Sequence, residues 1–179
     1  MKARAVAVFA AVAALSAAGG AAYHLWSTGR SAGSGTDPAA VVERVLATPL
    51  ADVAGGTREI GQWRGGVIVI NYWATWCAPC REEIPVFVRM QERYGSRGLQ
   101  FVGIAFDQPD KVAAFASEFR INYPLLIAGL ETLEQLRQAG NRAGVLPYTL
   151  VIDRKGNLVS REPGGIKEAR LESLVKPLL

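Results

Sequence analysis

The five residues Trp76-Cys77-Ala78-Pro79-Cys80 hold both cysteines of the chain. They follow the apolar run Val67-Ile68-Val69-Ile70 and precede a helical pattern. Two cysteines spaced C-x-x-C where a strand hands over to a helix are the arrangement of a redox-active dithiol. The thiolate is the reactive form, and the unpaired N–H groups and positive dipole end of a helix N-terminus favour it. The pattern therefore demands a strand–turn–helix unit and points to thiol–disulfide exchange.

Other uses of two cysteines fit less well. A structural zinc site needs four N or S ligands, and the chain offers two cysteines and one histidine, His24. An iron–sulfur cluster needs more thiolates. Covalent haem attachment needs His after the second Cys, where Arg81 stands. A purely structural bridge closing two intervening residues adds little, because disulfide stabilisation grows with loop length in the chain-entropy model. A peroxidase would carry a Pro-x-x-x-Thr-x-x-Cys pattern, whereas Thr75 lies two before Cys77 and no Pro precedes the Cys in the strand. A Cu(I) carrier suits soft thiolates, although Pro79 stiffens the loop such a site would open. These last two readings stay open at this level.

The N-terminus differs from the rest. Lys2 and Arg4 precede an uncharged stretch from Ala5 to Trp26, 22 residues long. A signal-peptide core has roughly 7–15 residues and a membrane span about 20. Tyr23 and Trp26 sit at its far end, where interfacial aromatics belong. Residues 1–26 are read as a membrane anchor or a signal segment, with the uncleaved anchor favoured. The preceding positive charges place the following domain on the extracytoplasmic, periplasmic side, where disulfides persist. Residues 27–38 form a Gly/Ser-rich flexible linker, and residues 39–179 form the folded domain. The charge of +4 falls to +2 without Lys2 and Arg4, with no basic block, so nucleic acid is not suggested.

Along the domain, Asp37-Pro38 reads as a helix cap and first turn, with Val41, Val42, Val45 and Leu46 on one face. Residues 50–53 and 57–60 form a hairpin through Gly55-Gly56. Residues 67–73 are apolar on both faces and hence a central strand. A helix runs from the cysteines to about Arg97, with a kink expected at Pro85. Residues 101–106 form a second buried strand, and Pro109 opens a helix carrying Val112, Phe115, Ala116 and Phe119. A short strand at 124–127 and a short helix at 133–136 follow. A hairpin then pairs 148–152 with 158–161 across Asp153-Arg154-Lys155-Gly156. Leu171, Leu174, Val175 and Leu178 mark a closing helix. This order gives an α/β fold, a central mixed sheet flanked by helices, with an N-terminal extension.

The run Val69-Ile70-Asn71-Tyr72-Trp73-Ala74-Thr75-Trp76-Cys77-Ala78-Pro79-Cys80-Arg81-Glu82-Glu83-Ile84-Pro85 resembles the signature of the membrane-anchored TlpA/ResA-type thioredoxin-like proteins. Gly144-Val145-Leu146-Pro147-Tyr148-Thr149 stands where that family has its cis-proline loop, and the resemblance covers roughly residues 50–179. It implies a thioredoxin-like fold and an extracytoplasmic reductase acting in cytochrome c maturation or copper-site assembly. The implied partners are a disulfide-bearing extracytoplasmic protein and a membrane thiol carrier as electron donor. The inner membrane is met through residues 5–26, and no cofactor is implied beyond a Cys77–Cys80 disulfide.

Cys77 is the expected nucleophile, exposed at the helix start, and Cys80 the resolving thiol one turn in. Glu83, three residues beyond Cys80, can share its helix face. The resemblance gives it a part in proton transfer, whereas a first-turn helix charge is the plainer reading. Soluble thioredoxins carry a buried Asp at the place of Asn71, which cannot take up a proton. Pro147 is expected to be cis, with Leu146 pairing an extended substrate by strand addition. Trp76 and Pro79 border the docking surface, and Trp73 is either there or in the core. A Cu(I)-handling or docking module without turnover is the alternative function.

Overall fold

The structure, a computed structural model, describes residues 37–179. The expected anchor at 1–26 and most of the 27–38 linker lie outside the described residues. Helix α1 (Pro38–Ala47) takes up the last linker residues, with the Asp37 carboxylate accepting the Ala39 N–H at 3.0 Å and Pro38 in the first turn. Its buried face is Val41, Val42, Val45 and Leu46.

The remaining elements are strands β1 (Pro49–Asp52), β2 (Thr57–Glu59) and β3 (Val67–Trp73), helix α2 (Ala78–Tyr94), strand β4 (Leu99–Ala105), helix α3 (Pro109–Glu118), strand β5 (Leu125–Ile127), helix α4 (Leu130–Gln138), strands β6 (Tyr148–Ile152) and β7 (Leu158–Pro163), and helix α5 (Glu168–Val175). The strands form one seven-stranded sheet in the order β2-β1-β5-β4-β3-β6-β7. Strands β3, β4 and β5 run parallel. The hairpins β1–β2 and β6–β7 flank them antiparallel. The α/β architecture, with its mixed sheet between helices, is the one the sequence order leads to.

Successive side chains of β3 point to opposite faces. Val67, Val69 and Trp73 pack with Ile84, Phe87 and Met90 of α2, Val112 and Phe115 of α3, and Leu171 and Val175 of α5. Ile68, Ile70 and Tyr72 pack with α1 and with Leu136 of α4. All seven residues of β3 are buried. Trp73 is core rather than docking surface, at 1% exposure.

Register then decides where chemistry can occur. Trp73 is level with Ala105, Ala105 with Ile127, and Tyr72 with Tyr148. The loops leaving β3, β4 and β5 and the one entering β6 therefore share one end of the sheet. Both sequence motifs meet at that end.

Some bounds differ from the sequence reading. Strand β4 begins at Leu99, because Leu99 is buried and pairs with Val67, while Gln100 interrupts the apolar run. Helix α4 is longer than 133–136: the Thr132 hydroxyl accepts the Gly129 N–H at 3.0 Å, and the added residues are mostly polar and solvent-facing. Helix α2 runs continuously through Pro85 and ends at Tyr94 in a 3-10 turn, Gly95–Arg97. Gly156 takes the left-handed conformation expected of it, at φ +87°.

At Gly103 on β4, neighbouring side chains press closely on the backbone. A Cβ there would stand 2.6 Å from Leu125 Cδ2 and 3.0 Å from Trp73 Nε1. Gly103→Ala is expected to lower stability by about 1–3 kcal/mol through overpacking. Urea denaturation of the oxidised protein would read this, and an unchanged midpoint would contradict the packing account.

Candidate active site

Chain geometry at the end of β3 delivers the two sulfurs. The Cys77 N–H bonds the Ala74 carbonyl at 3.2 Å, which turns the chain sharply after the strand. Cys77 is the N-cap of α2, and its carbonyl accepts the Arg81 N–H at 3.2 Å. Pro79 fits the first turn, where its missing N–H would have had no helical partner. Cys80 follows one turn in, and the two cysteines form a disulfide with Cα atoms 5.3 Å apart.

Cys77 is not exposed as expected. Its exposure is 5%, against 0% for Cys80, and both belong to the apolar cluster of Trp73 and Ile84. The tight turn and the bond to Cys80 draw the sulfur inward, so a visitor meets only its edge. Around it Ala78 and Pro79 are exposed, and Trp76 stands 70% exposed. Pro147, buried at the start of β6, follows a cis peptide bond from Leu146. Leu146 is half-buried and packs against the cluster that holds both cysteines.

Glu83 is buried, at 2% exposure, on α2 one turn beyond Cys80. Its Oε1 accepts the Asn71 amide N–H at 2.7 Å, and its Oε2 accepts the Ile166 backbone N–H at 3.0 Å. Burial disfavours the charged form and pushes the carboxyl up to about 7, while the Ile166 and Asn71 donors pull the other way. Burial outweighs the two hydrogen bonds. A carboxyl poised near neutrality beside a thiol can accept and return a proton at working pH. Glu82, its neighbour, is exposed.

Two further contacts fix the loop before Cys77. The Thr75 hydroxyl donates to the Asp107 carboxylate, and this bond holds the Asp107 carboxyl below the usual range. The Arg81 guanidinium donates to the Thr75 carbonyl at 3.4 Å and lies 5.1 Å from the ring centres of both Phe115 and Phe119.

Sequence reasoning singled out Asn71 and Glu83 but not the other groups they bond. Thr149 Oγ1 accepts the second Asn71 amide N–H at 3.0 Å. A signal for it existed, since Thr149 is the one aliphatic hydroxyl in strand 148–152. Nothing marked Ile166, whose backbone N–H does the work. A groove of about 360 Å³ opens beside Glu83, lined by Pro79, Val86, Arg89, Gly165 and Lys167 among others. The sheet's Glu83-bearing face and the end carrying Trp76 and Pro147 thus meet at the disulfide.

The sequence model of the AhpC/TSA family matches residues 41–161. The chain is 30% identical over 110 residues to the thiol-disulfide oxidoreductase ResA of Geobacillus kaustophilus, covering 61% of each protein. That alignment spans less than two thirds of the relative's length. It is 27% identical over 140 residues to the ResA of Halalkalibacterium halodurans, covering 75% of this chain and 77% of that one. A solved thiol:disulfide interchange protein of the thioredoxin family from Chlorobium tepidum TLS superposes with a TM-score of 0.67 at 31% identity. The match covers 73% of this chain and 92% of that one. The thioredoxin-like fold and the TlpA/ResA-type resemblance read from the motifs are both supported.

Glu83 also sets a pH dependence of stability. Its folded value, about 7, lies above the ordinary 4.5, so the native state binds the proton more tightly between these limits. Its contribution is full below pH 4.5 and is lost as pH rises through 7. The difference amounts to about 3 kcal/mol. The carboxyls held low, among them Asp107, Glu162 and Glu168, act below this window. Urea titrations of the oxidised protein at pH 5 and pH 8 should show stability falling in the wild type and nearly level in Glu83→Gln. Parallel curves would show that Glu83 is not held neutral.

Proposed function

Because the chain belongs to the AhpC/TSA family and carries a C-x-x-C disulfide at a helix start, we propose that it is a thiol–disulfide oxidoreductase that reduces disulfides in extracytoplasmic proteins. The observation that carries this reading is the buried triad of Cys77, Cys80 and Glu83 on one helix, with Cys77 at its N-cap. The reaction draws on the dithiol alone and needs no metal or organic cofactor.

The reduced enzyme holds Cys77 as thiolate, stabilised by the helix N-terminus. Cys77 Sγ attacks one sulfur of the partner's disulfide, and the other sulfur leaves as a thiolate, forming a mixed disulfide. Cys80 then loses its proton to the Glu83 carboxylate and attacks Cys77 Sγ. The partner's second sulfur departs as a thiolate, and the enzyme is left with the Cys77–Cys80 disulfide seen here. Two electrons have passed to the partner. A membrane thiol carrier returns them, and the proton leaves Glu83 again.

Trp76, Pro79, Leu146 and Pro147 form the docking surface for an extended partner segment. Residues 5–26 anchor the enzyme in the cytoplasmic membrane, and the 27–38 linker lets the domain reach partners on the periplasmic face. Resemblance to the TlpA/ResA-type proteins supports substrates from cytochrome c maturation or copper-site assembly. A peroxidase reading loses support because the Thr75 hydroxyl is engaged by Asp107.

Cys77→Ser is expected to abolish insulin reduction, whereas Cys80→Ser should accumulate covalent partner complexes visible on non-reducing gels. If Cys80→Ser traps nothing from an extracytoplasmic extract and wild type binds Cu(I) without reducing insulin, the reductase reading falls. Glu83→Gln should remove the decline in resolving rate as pH drops through about 7. A retained decline would assign proton acceptance to another group.

A further inference from the structure

The polar contacts of Glu83 continue past the residues so far given a role. Asn71 is 1% exposed, and its amide nitrogen donates both hydrogens, to Glu83 Oε1 at 2.7 Å and to Thr149 Oγ1 at 3.0 Å. Its oxygen has no partner among the described residues. A buried amide that leaves its acceptor unpaired is held in that orientation by what its donors gain. Thr149, 0% exposed, sits directly across from Asn71 in the β3–β6 register, two residues after Pro147. The other Glu83 oxygen is tied to the same region. Its donor is Ile166, two residues beyond Gly164, whose N–H bonds the Pro147 carbonyl at 2.8 Å. Both oxygens of the carboxyl are thus connected to the segment around Pro147.

We propose that Asn71 and Thr149 are positioning residues for the dithiol reaction. Thr149 holds the Asn71 amide with its N–H2 edge toward Glu83, and the amide in turn fixes the carboxyl beside Cys80. Thr149 makes no side-chain hydrogen bond to either sulfur or to Glu83 among the described residues and acts through Asn71. The proposal rests on Glu83 as the proton acceptor for Cys80. Other groups facing Glu83 are the Cys77–Cys80 pair on its own helix and the buried Tyr123 phenol across the core. Glu82, Arg89, Lys167 and Glu168 line the groove beside it.

Without the Thr149 hydroxyl, the second amide N–H is left unpaired in a buried site. The amide then turns from Glu83, the carboxylate loses a donor, and the proton is held more tightly. The test is ¹³C NMR titration of the Glu83 carboxyl in the oxidised full chain, with its signal assigned by its absence in Glu83→Gln. Asn71→Leu is expected to move the midpoint upward by about one pH unit. Thr149→Val should move it the same way by less, Thr149→Ser should leave it in place, and Thr149→Val should add nothing in an Asn71→Leu background. The low-pH limb of insulin reduction should move with the NMR midpoint in Thr149→Val. A wild-type midpoint in Thr149→Val, or an equal shift in the Asn71→Leu background, overturns the proposal. Should Asn71→Leu fail to fold, the Val and Ser variants at 149 decide the matter between them. If Glu83→Gln retains the wild-type pH profile while Thr149→Val still moves the NMR midpoint, the proton-acceptor reading fails and the positioning geometry stands.

Discussion

Strand β3 is buried on both faces, so a polar side chain on it must find its partners inside the protein. Leaving a buried amide N–H unpaired costs roughly 1–3 kcal/mol, and Asn71 places an amide group at the centre of the sheet. Its donors reach sideways to Thr149 on β6 and upward to Glu83 on α2. This junction ties the register of the neighbouring strand to the seating of the helix. The start of α2, with both sulfurs, is therefore fixed relative to Pro147 by polar contacts as well as by apolar packing. Ion pairs from Arg89 and Arg93 to Glu168 join α2 to α5 at the surface. Exposed pairs of this kind contribute about 1 kcal/mol or less, so Leu171 and Val175 in the core do most of the holding.

Opposing electrostatic demands meet within one helical turn. The N-terminus of α2 favours negative charge on Cys77, while the apolar cluster around Cys80 and Glu83 disfavours it. A thiolate at the cap and a carboxyl near neutrality deeper in are the natural division of labour. Two hydrogen bonds to Glu83 keep its ionised form accessible without cancelling the cost of burial. Three such bonds in a solvated cleft would leave a permanent carboxylate with no proton to exchange. The structure lies between those extremes.

Much of this was legible in the residues. The runs at 67–73 and 101–106 read as buried strands because their apolar residues do not alternate with polar ones. Asp37-Pro38 marked a helix start by capping chemistry that acts over three residues. The cysteine spacing and its strand–helix setting located the site, and the cis bond before Pro147 followed from the motif resemblance. What escaped depended on contacts far apart in sequence. Burial of Cys77 results from a turn closing against the sheet, which a local pattern does not reveal. The two readings of Glu83 differ only in which way α2 is rotated, and that is set by packing on β3. The partnership with Ile166 joins positions 83 and 166 through a backbone group that carries no residue-specific mark.

The groove between Pro79 and Gly165 has a consequence for the proposed reaction. It opens beside Glu83 on the helical face, while Trp76 and Leu146 stand at the end of the sheet. In the proposed reaction, a proton released from Glu83 has this side door to bulk water while a client occupies the front. Resetting the carboxyl is then separate from release of the client, and in that reaction the slowest event is free to be the parting of the two proteins.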